Sequence, residues 1–86
     1  MNKYLQTPEH ILDLHGMTCR ESKTAIFRLL SDHRYSHVRI ITGKGTFREK
    51  SGTLREFVKT ILKDNGIDFR PSKLSDGGEG ALEVFL

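Results

Sequence analysis

The 86 residues predict one small domain with a core just large enough to fold independently and no room for a second functional unit. Fourteen lysines and arginines against 11 aspartates and glutamates, for a net charge of +3, suit a polyanionic partner without demanding one. No apolar run approaches the roughly 20 residues of a membrane span, the start Met1-Asn2-Lys3-Tyr4-Leu5-Gln6 lacks the signal-peptide pattern, and the single cysteine, Cys19, excludes an internal disulfide or a multi-cysteine zinc site; a cytoplasmic protein without membrane association is expected.

Residues 1–10, ending Gln6-Thr7-Pro8-Glu9-His10, are polar, contain a proline and show no periodicity, which predicts a flexible arm ahead of a domain spanning 11–86. Ile11-Leu12-Asp13-Leu14-His15-Gly16 reads as a first strand. Its period of two sends Leu12 and Leu14 into a core and sets Asp13 and His15 on the opposite face. Thr18-Cys19-Arg20-Glu21 has the form of a capping box, and Ser22, Ala25, Ile26, Leu29 and Leu30 then follow at helical spacing, so a helix is predicted to about His33. His37-Val38-Arg39-Ile40-Ile41-Thr42 is a β-branched second strand. Joined to the first through a helix, it should run parallel to it by a right-handed crossover, so that His15-Gly16 and Thr42-Gly43-Lys44-Gly45 finish at one edge of the sheet. Ligands of open α/β sheets bind at such strand ends.

Thr46 to Gly52 reads as a mobile polar loop. Thr53-Leu54-Arg55-Glu56 opens a second helix with Leu54, Phe57, Val58, Ile61 and Leu62 on its apolar face, closed by Asn65-Gly66. Ile67-Asp68-Phe69-Arg70-Pro71 is a third strand, with Pro71 favouring an edge position. After the turn Asp76-Gly77-Gly78-Glu79-Gly80, Ala81 to Leu86 alternates as a final strand antiparallel to the third. The order β-α-β-α-β-β, with one apolar face on each helix, predicts a two-layer α/β sandwich: a four-stranded mixed sheet with two helices on one face. Asp13, His15, Arg39 and Arg70 would project from the open face.

Glycines let backbone amides approach an anion and a lysine adds charge, so Thr42-Gly43-Lys44-Gly45 could cradle a phosphate; it matches neither the nucleotide P-loop nor the dinucleotide fingerprint, and a plain strand-to-loop turn explains it equally well. Asp13 and His15 read either as a solvated pair or as an acid/base couple, since a carboxylate can orient a histidine that titrates near neutrality. His10, His33 and His37 lack metal-ligand spacing. No cofactor is expected; a divalent metal at Asp13 and His15 would need a further ligand such as Glu79. The basic set Arg39, Lys44, Arg48, Lys50, Arg55, Arg70 and Lys73 gathers near the same loops, where Phe47 is the one aromatic; solvated surface and local packing are the ordinary explanations, nucleic-acid contact the sharper one.

Leu12-Asp13-Leu14-His15-Gly16, Thr42-Gly43-Lys44-Gly45, Gly52-Thr53-Leu54-Arg55 and Gly77-Gly78-Glu79-Gly80-Ala81-Leu82-Glu83-Val84 together, in this order, resemble the Smr (small MutS-related) domain from about Ile11 to Leu86, in its stand-alone bacterial form. The resemblance implies an α/β sandwich similar to the C-terminal domain of a bacterial translation initiation factor, and association with DNA nicking or RNA cleavage. The family's L-D-x-H motif falls on Asp13 and His15 and its T-G-x-G motif on Thr42, Gly43, Lys44 and Gly45. Many members continue with a histidine-serine pair; here Thr46-Phe47-Arg48 intervenes, and that histidine has no counterpart. The expectation is an endonuclease, RNA slightly preferred over DNA, with Asp13 and His15 catalytic. Nucleic acid would contact Thr42, Gly43, Lys44, Gly45, Arg48, Lys50, Arg55 and Arg70, and the protein would be a monomer. The alternatives are a non-catalytic module that binds structured DNA or RNA, and a protein-interaction domain.

Overall fold

A computed structural model of the chain describes residues 7–43, 48–49, 52–73 and 80–86. Along the chain run β1 (His10–Asp13), α1 (Cys19–Ser31), β2 (His37–Ile41), β3 (Arg48–Glu49), β4 (Gly52–Thr53), α2 (Leu54–Asp64), β5 (Asp68–Pro71) and β6 (Ala81–Phe85). Four strands form one mixed sheet in the order β1-β2-β6-β5. β1 is parallel to β2, and β6 is antiparallel to both β2 and β5. The expected α/β sandwich is present, with β5 and its Pro71 at an edge.

Register explains the two faces. Leu12, Ile40 and Leu82 are partners across three strands, and Val38, Val84 and Phe69 form the neighbouring row. These side chains join Ile26 and Leu29 of α1 and Val58, Ile61 and Leu62 of α2 in one apolar cluster, so both helices lie on the same side of the sheet. The alternate row, Ile11, Arg39, Glu83 and Arg70, occupies the other side.

Local chemistry sets the helix ends. At α1 the Thr18 hydroxyl accepts the Glu21 N–H while the Glu21 carboxylate accepts the Thr18 N–H, a complete capping box. At α2 the Thr53 hydroxyl accepts the Glu56 N–H. α2 ends with Gly66 at φ +68°, its N–H bonded to the Lys63 carbonyl and that of Ile67 to the Leu62 carbonyl, the paired closure a left-handed residue permits.

Three features differ from the sequence expectation. β1 begins at His10, and Glu9 before it accepts hydrogen bonds from Ser36 and from the His37 N–H, so the chain is engaged ahead of the boundary expected at Ile11. β1 also ends at Asp13, because Leu14 to Met17 forms a turn. The stretch read as a loop from Thr46 to Gly52 contains β3 and forms with β4 a separate two-stranded ladder, Arg48 opposite Thr53 and Glu49 opposite Gly52. Strands of two residues are too short to show a period. Residues 1–6, 44–47, 50–51 and 74–79 lie outside the described residues.

Candidate active site at the end of β1

Asp13 closes β1 opposite Ile41. The fully buried Leu14 next to it anchors the chain: its N–H donates to the Ile41 carbonyl at 2.7 Å and its carbonyl accepts the Met17 N–H at 3.0 Å. Gly16, at φ +78°, occupies the third position of that four-residue turn, where a type II turn requires a left-handed residue. His15 therefore sits at the second position, pushed outward. The Asp13 carboxylate takes both of its neighbour's donors, accepting the His15 N–H at 3.1 Å and bonding Nδ1 at 2.5 Å. The side chains remain 48% (Asp13) and 68% (His15) exposed to solvent.

These contacts set the protonation pattern. The bond from the His15 ring, and then that from its amide, hold the Asp13 carboxyl below its usual range. An ionised carboxylate only accepts, so Nδ1 carries the shared proton, and in the neutral ring Nε2 is left with its lone pair pointing away. Such a ring is able to accept a proton at Nε2.

Two further segments reach this corner. The Thr42 and Gly43 amides both donate to the Gly80 carbonyl, at 2.8 and 3.1 Å. Thr42 is buried, its hydroxyl 3.2 Å from the Gly43 carbonyl and 3.5 Å from that of Gly80. Gly43 has φ +83°, and a Cβ there would stand 3.6 Å from the Cβ of His15. A Cβ at Gly80 would come within 3.3 Å of the Gly43 carbonyl carbon, so a side chain there would require the Gly43 backbone to give by a few tenths of an ångström. The two strand ends expected to converge do converge. Gly80 was read only as part of a turn; its signal was the glycine-rich run before a last strand whose antiparallel pairing brings its start against the end of β2.

The remaining sequence candidates are dispersed. Lys44, Gly45 and Lys50, together with Phe47 and Glu79, lie outside the described residues. Arg48 is placed by its backbone in β3. Arg55, in the first turn of α2, donates from Nη1 to the Ala81 carbonyl at 3.2 Å and ties that helix to β6. Arg70 is exposed on β5, its guanidinium 5.3 Å from the centre of the Phe85 ring. β5 stands three strand spacings from β1, about 14 Å, so Arg70 is apart from the Asp13–His15 corner. Arg39 lies on the open face as expected, with its charge paired there to Glu83 through Nε at 2.8 Å. Glu83, only 3% exposed, also bonds His37 Nε2 at 2.6 Å and the Ser72 hydroxyl. Sequence reasoning missed this group because its members come from two strands, β2 and β6, and from the segment following β5. Among the described residues no three histidine, cysteine, aspartate or glutamate side chains gather as metal ligands, and no helix is long and apolar enough to cross a membrane.

A four-stranded mixed sheet covered on one face by two helices is the fold of the solved Smr domains. The chain belongs to that family: the Smr domain model matches residues 12–86. The Smr domain of Thermus thermophilus MutS2 superposes with a TM-score of 0.75 at 27% identity, covering 90% of this chain and 96% of that one. The human small-MutS related domain gives 0.69 at 24% identity over 87% and 98%, a likeness of fold. An uncharacterized protein of Treponema pallidum (strain Nichols) is 34% identical over 85 residues, 92% of this chain but 42% of that protein, so the chain spans less than half of its relative's length.

Proposed function

We propose that the chain is a nucleic-acid endonuclease that cleaves RNA or nicks DNA. The observation that supports this reading is the Asp13–His15 hydrogen bond of 2.5 Å, exposed beside the Gly43 backbone. His15 Nε2 takes a proton from the attacking hydroxyl, either water or the 2′-hydroxyl of RNA, and returns it to the leaving oxygen as the P–O bond breaks. Asp13 fixes the ring and offsets the charge of the imidazolium that forms between the two transfers. The Thr42-Gly43-Lys44-Gly45 segment contacts the phosphate, Lys44 supplying charge as negative charge grows on the phosphoryl oxygens. Arg48, Lys50, Arg55 and Arg70 contribute to the attraction of the polyanion.

Purified protein should therefore cut structured RNA or nick supercoiled DNA. Incubation of both with and without divalent metal and with chelator is the test. Intact substrates under every condition, with binding retained, would reduce the activity to that of a binding module.

A further inference from the structure

A cleft separate from the Asp13–His15 corner lies where the start of β1 meets the flank of α1. It encloses about 160 Å³ and is lined among others by His10, Leu12, Arg28, Arg34 and Tyr35. That is room for one flat ring and little more.

Its wall is a stack with a fixed base. Asp32 accepts Arg34 Nε at 2.9 Å and Nη2 at 2.6 Å, locking the guanidinium as a fork. The guanidinium carbon stands 5.2 Å from the centre of the Tyr35 ring. The Tyr35 and His10 rings are 4.8 Å apart and within 7° of parallel. Tyr35 is half-buried against the core, whereas His10 is exposed. The guanidinium and the His10 ring thus both pack against Tyr35, and His10 is exposed to solvent. Asp32 is the acidic residue of the lining and is committed to Arg34, so the positive charge of Arg28, exposed in the last turn of α1, dominates the rim.

We propose that this cleft is a second contact for single-stranded nucleic acid, in which the base of a nucleotide flanking the cleaved one stacks on the exposed His10 ring while Arg28 meets its phosphate. This rests on the nucleic-acid reading of the Asp13–His15 site and extends it along the strand. Base and aromatic faces stack with little regard to sequence; an unpaired base supplies the flat ring and its backbone the anion. Position favours the same partner. His10 opens β1 and Asp13 closes it, three residue steps or roughly 10 Å of strand on alternate faces of it; β1 is an edge strand, so a short oligonucleotide that crosses that edge reaches both the cleft and the catalytic corner. A duplex keeps its bases stacked inside and cannot use the cleft.

The test is fluorescence anisotropy with labelled single-stranded RNA and DNA of increasing length and with duplexes of the same sequence, in the His15→Ala background so that the strand stays uncut. His10→Ala and Arg28→Ala are added to that parent, with thermal melts to confirm folding. The parent should gain affinity once the single strand is long enough to reach both places. Each added variant should bind that longer strand at least about five-fold more weakly, and Arg28→Ala should lower the slope of log affinity against log salt by about 0.7. A fluorescent adenine analogue stepped along the strand should be quenched at one flanking position in the parent and not in His10→Ala. Equal affinity and slope in all three proteins, or quenching at no position, overturns the cleft while leaving the nuclease reading intact. A parent that binds no strand of any length at low salt overturns both.

Discussion

One carboxylate does two jobs at Asp13. By accepting the His15 amide it fixes the turn, and by bonding Nδ1 it fixes the ring. Asparagine in its place keeps the size but brings a neutral group whose NH₂ can face Nδ1 and favour the other tautomer, and it cannot offset the imidazolium. Asp13→Asn should lower the single-turnover cleavage rate about 100-fold or more with substrate affinity nearly unchanged. That Asp13 and His15 stand side by side was legible in the sequence; the manner of their pairing was not. A shared strand face was expected, whereas β1 stops at Asp13 and the contact is made across the start of a turn. The depressed Asp13 pKa follows from that local geometry, which residue alternation does not encode.

Helices were the most readable elements because their signals are local. The capping box at Thr18 starts α1 at Cys19 as expected, and the glycine at Gly66 closes α2. Thr18→Ala removes the acceptor for the Glu21 N–H and should cost about 1 kcal/mol of stability, read as a lower denaturant midpoint with an unchanged slope. Strand existence was also readable, and so were the β1–β2 and β5–β6 pairings; the joining of β2 to β6 was not. Nothing within Ala81 to Leu86 announces that β6 also pairs with β2, because its partners there lie 40 to 48 residues back along the chain. That placement brings Gly80 to the site and sets Glu83 against Arg39 and His37.

At the scale of the molecule, the open sheet face is held by charge where the other is held by apolar packing. Burial pushes the Glu83 carboxyl up, but hydrogen bonds from Ser72, Arg39 and His37 bring it below the usual glutamate range. A depressed folded-state pKa contributes stability above the unfolded-state pKa and loses it as pH falls through the folded one. The melting temperature should therefore fall as pH drops below the ordinary carboxylate range. Glu83→Gln leaves Arg39 and His37 facing a neutral amide; it should be destabilised on the order of 3 kcal/mol near neutrality and show a flatter acid limb, approaching wild type as pH falls. Equal acid slopes would place the pH sensitivity elsewhere. The central claim concerns the other end of the sheet, where His15 is held to transfer protons. Its most direct measurement takes wild type and His15→Ala on one labelled RNA and one labelled DNA, recording affinity and cleavage rate in the same samples. The account predicts retained affinity with cleavage reduced by about 100-fold or more in the variant; cleavage by His15→Ala at the wild-type rate would contradict it.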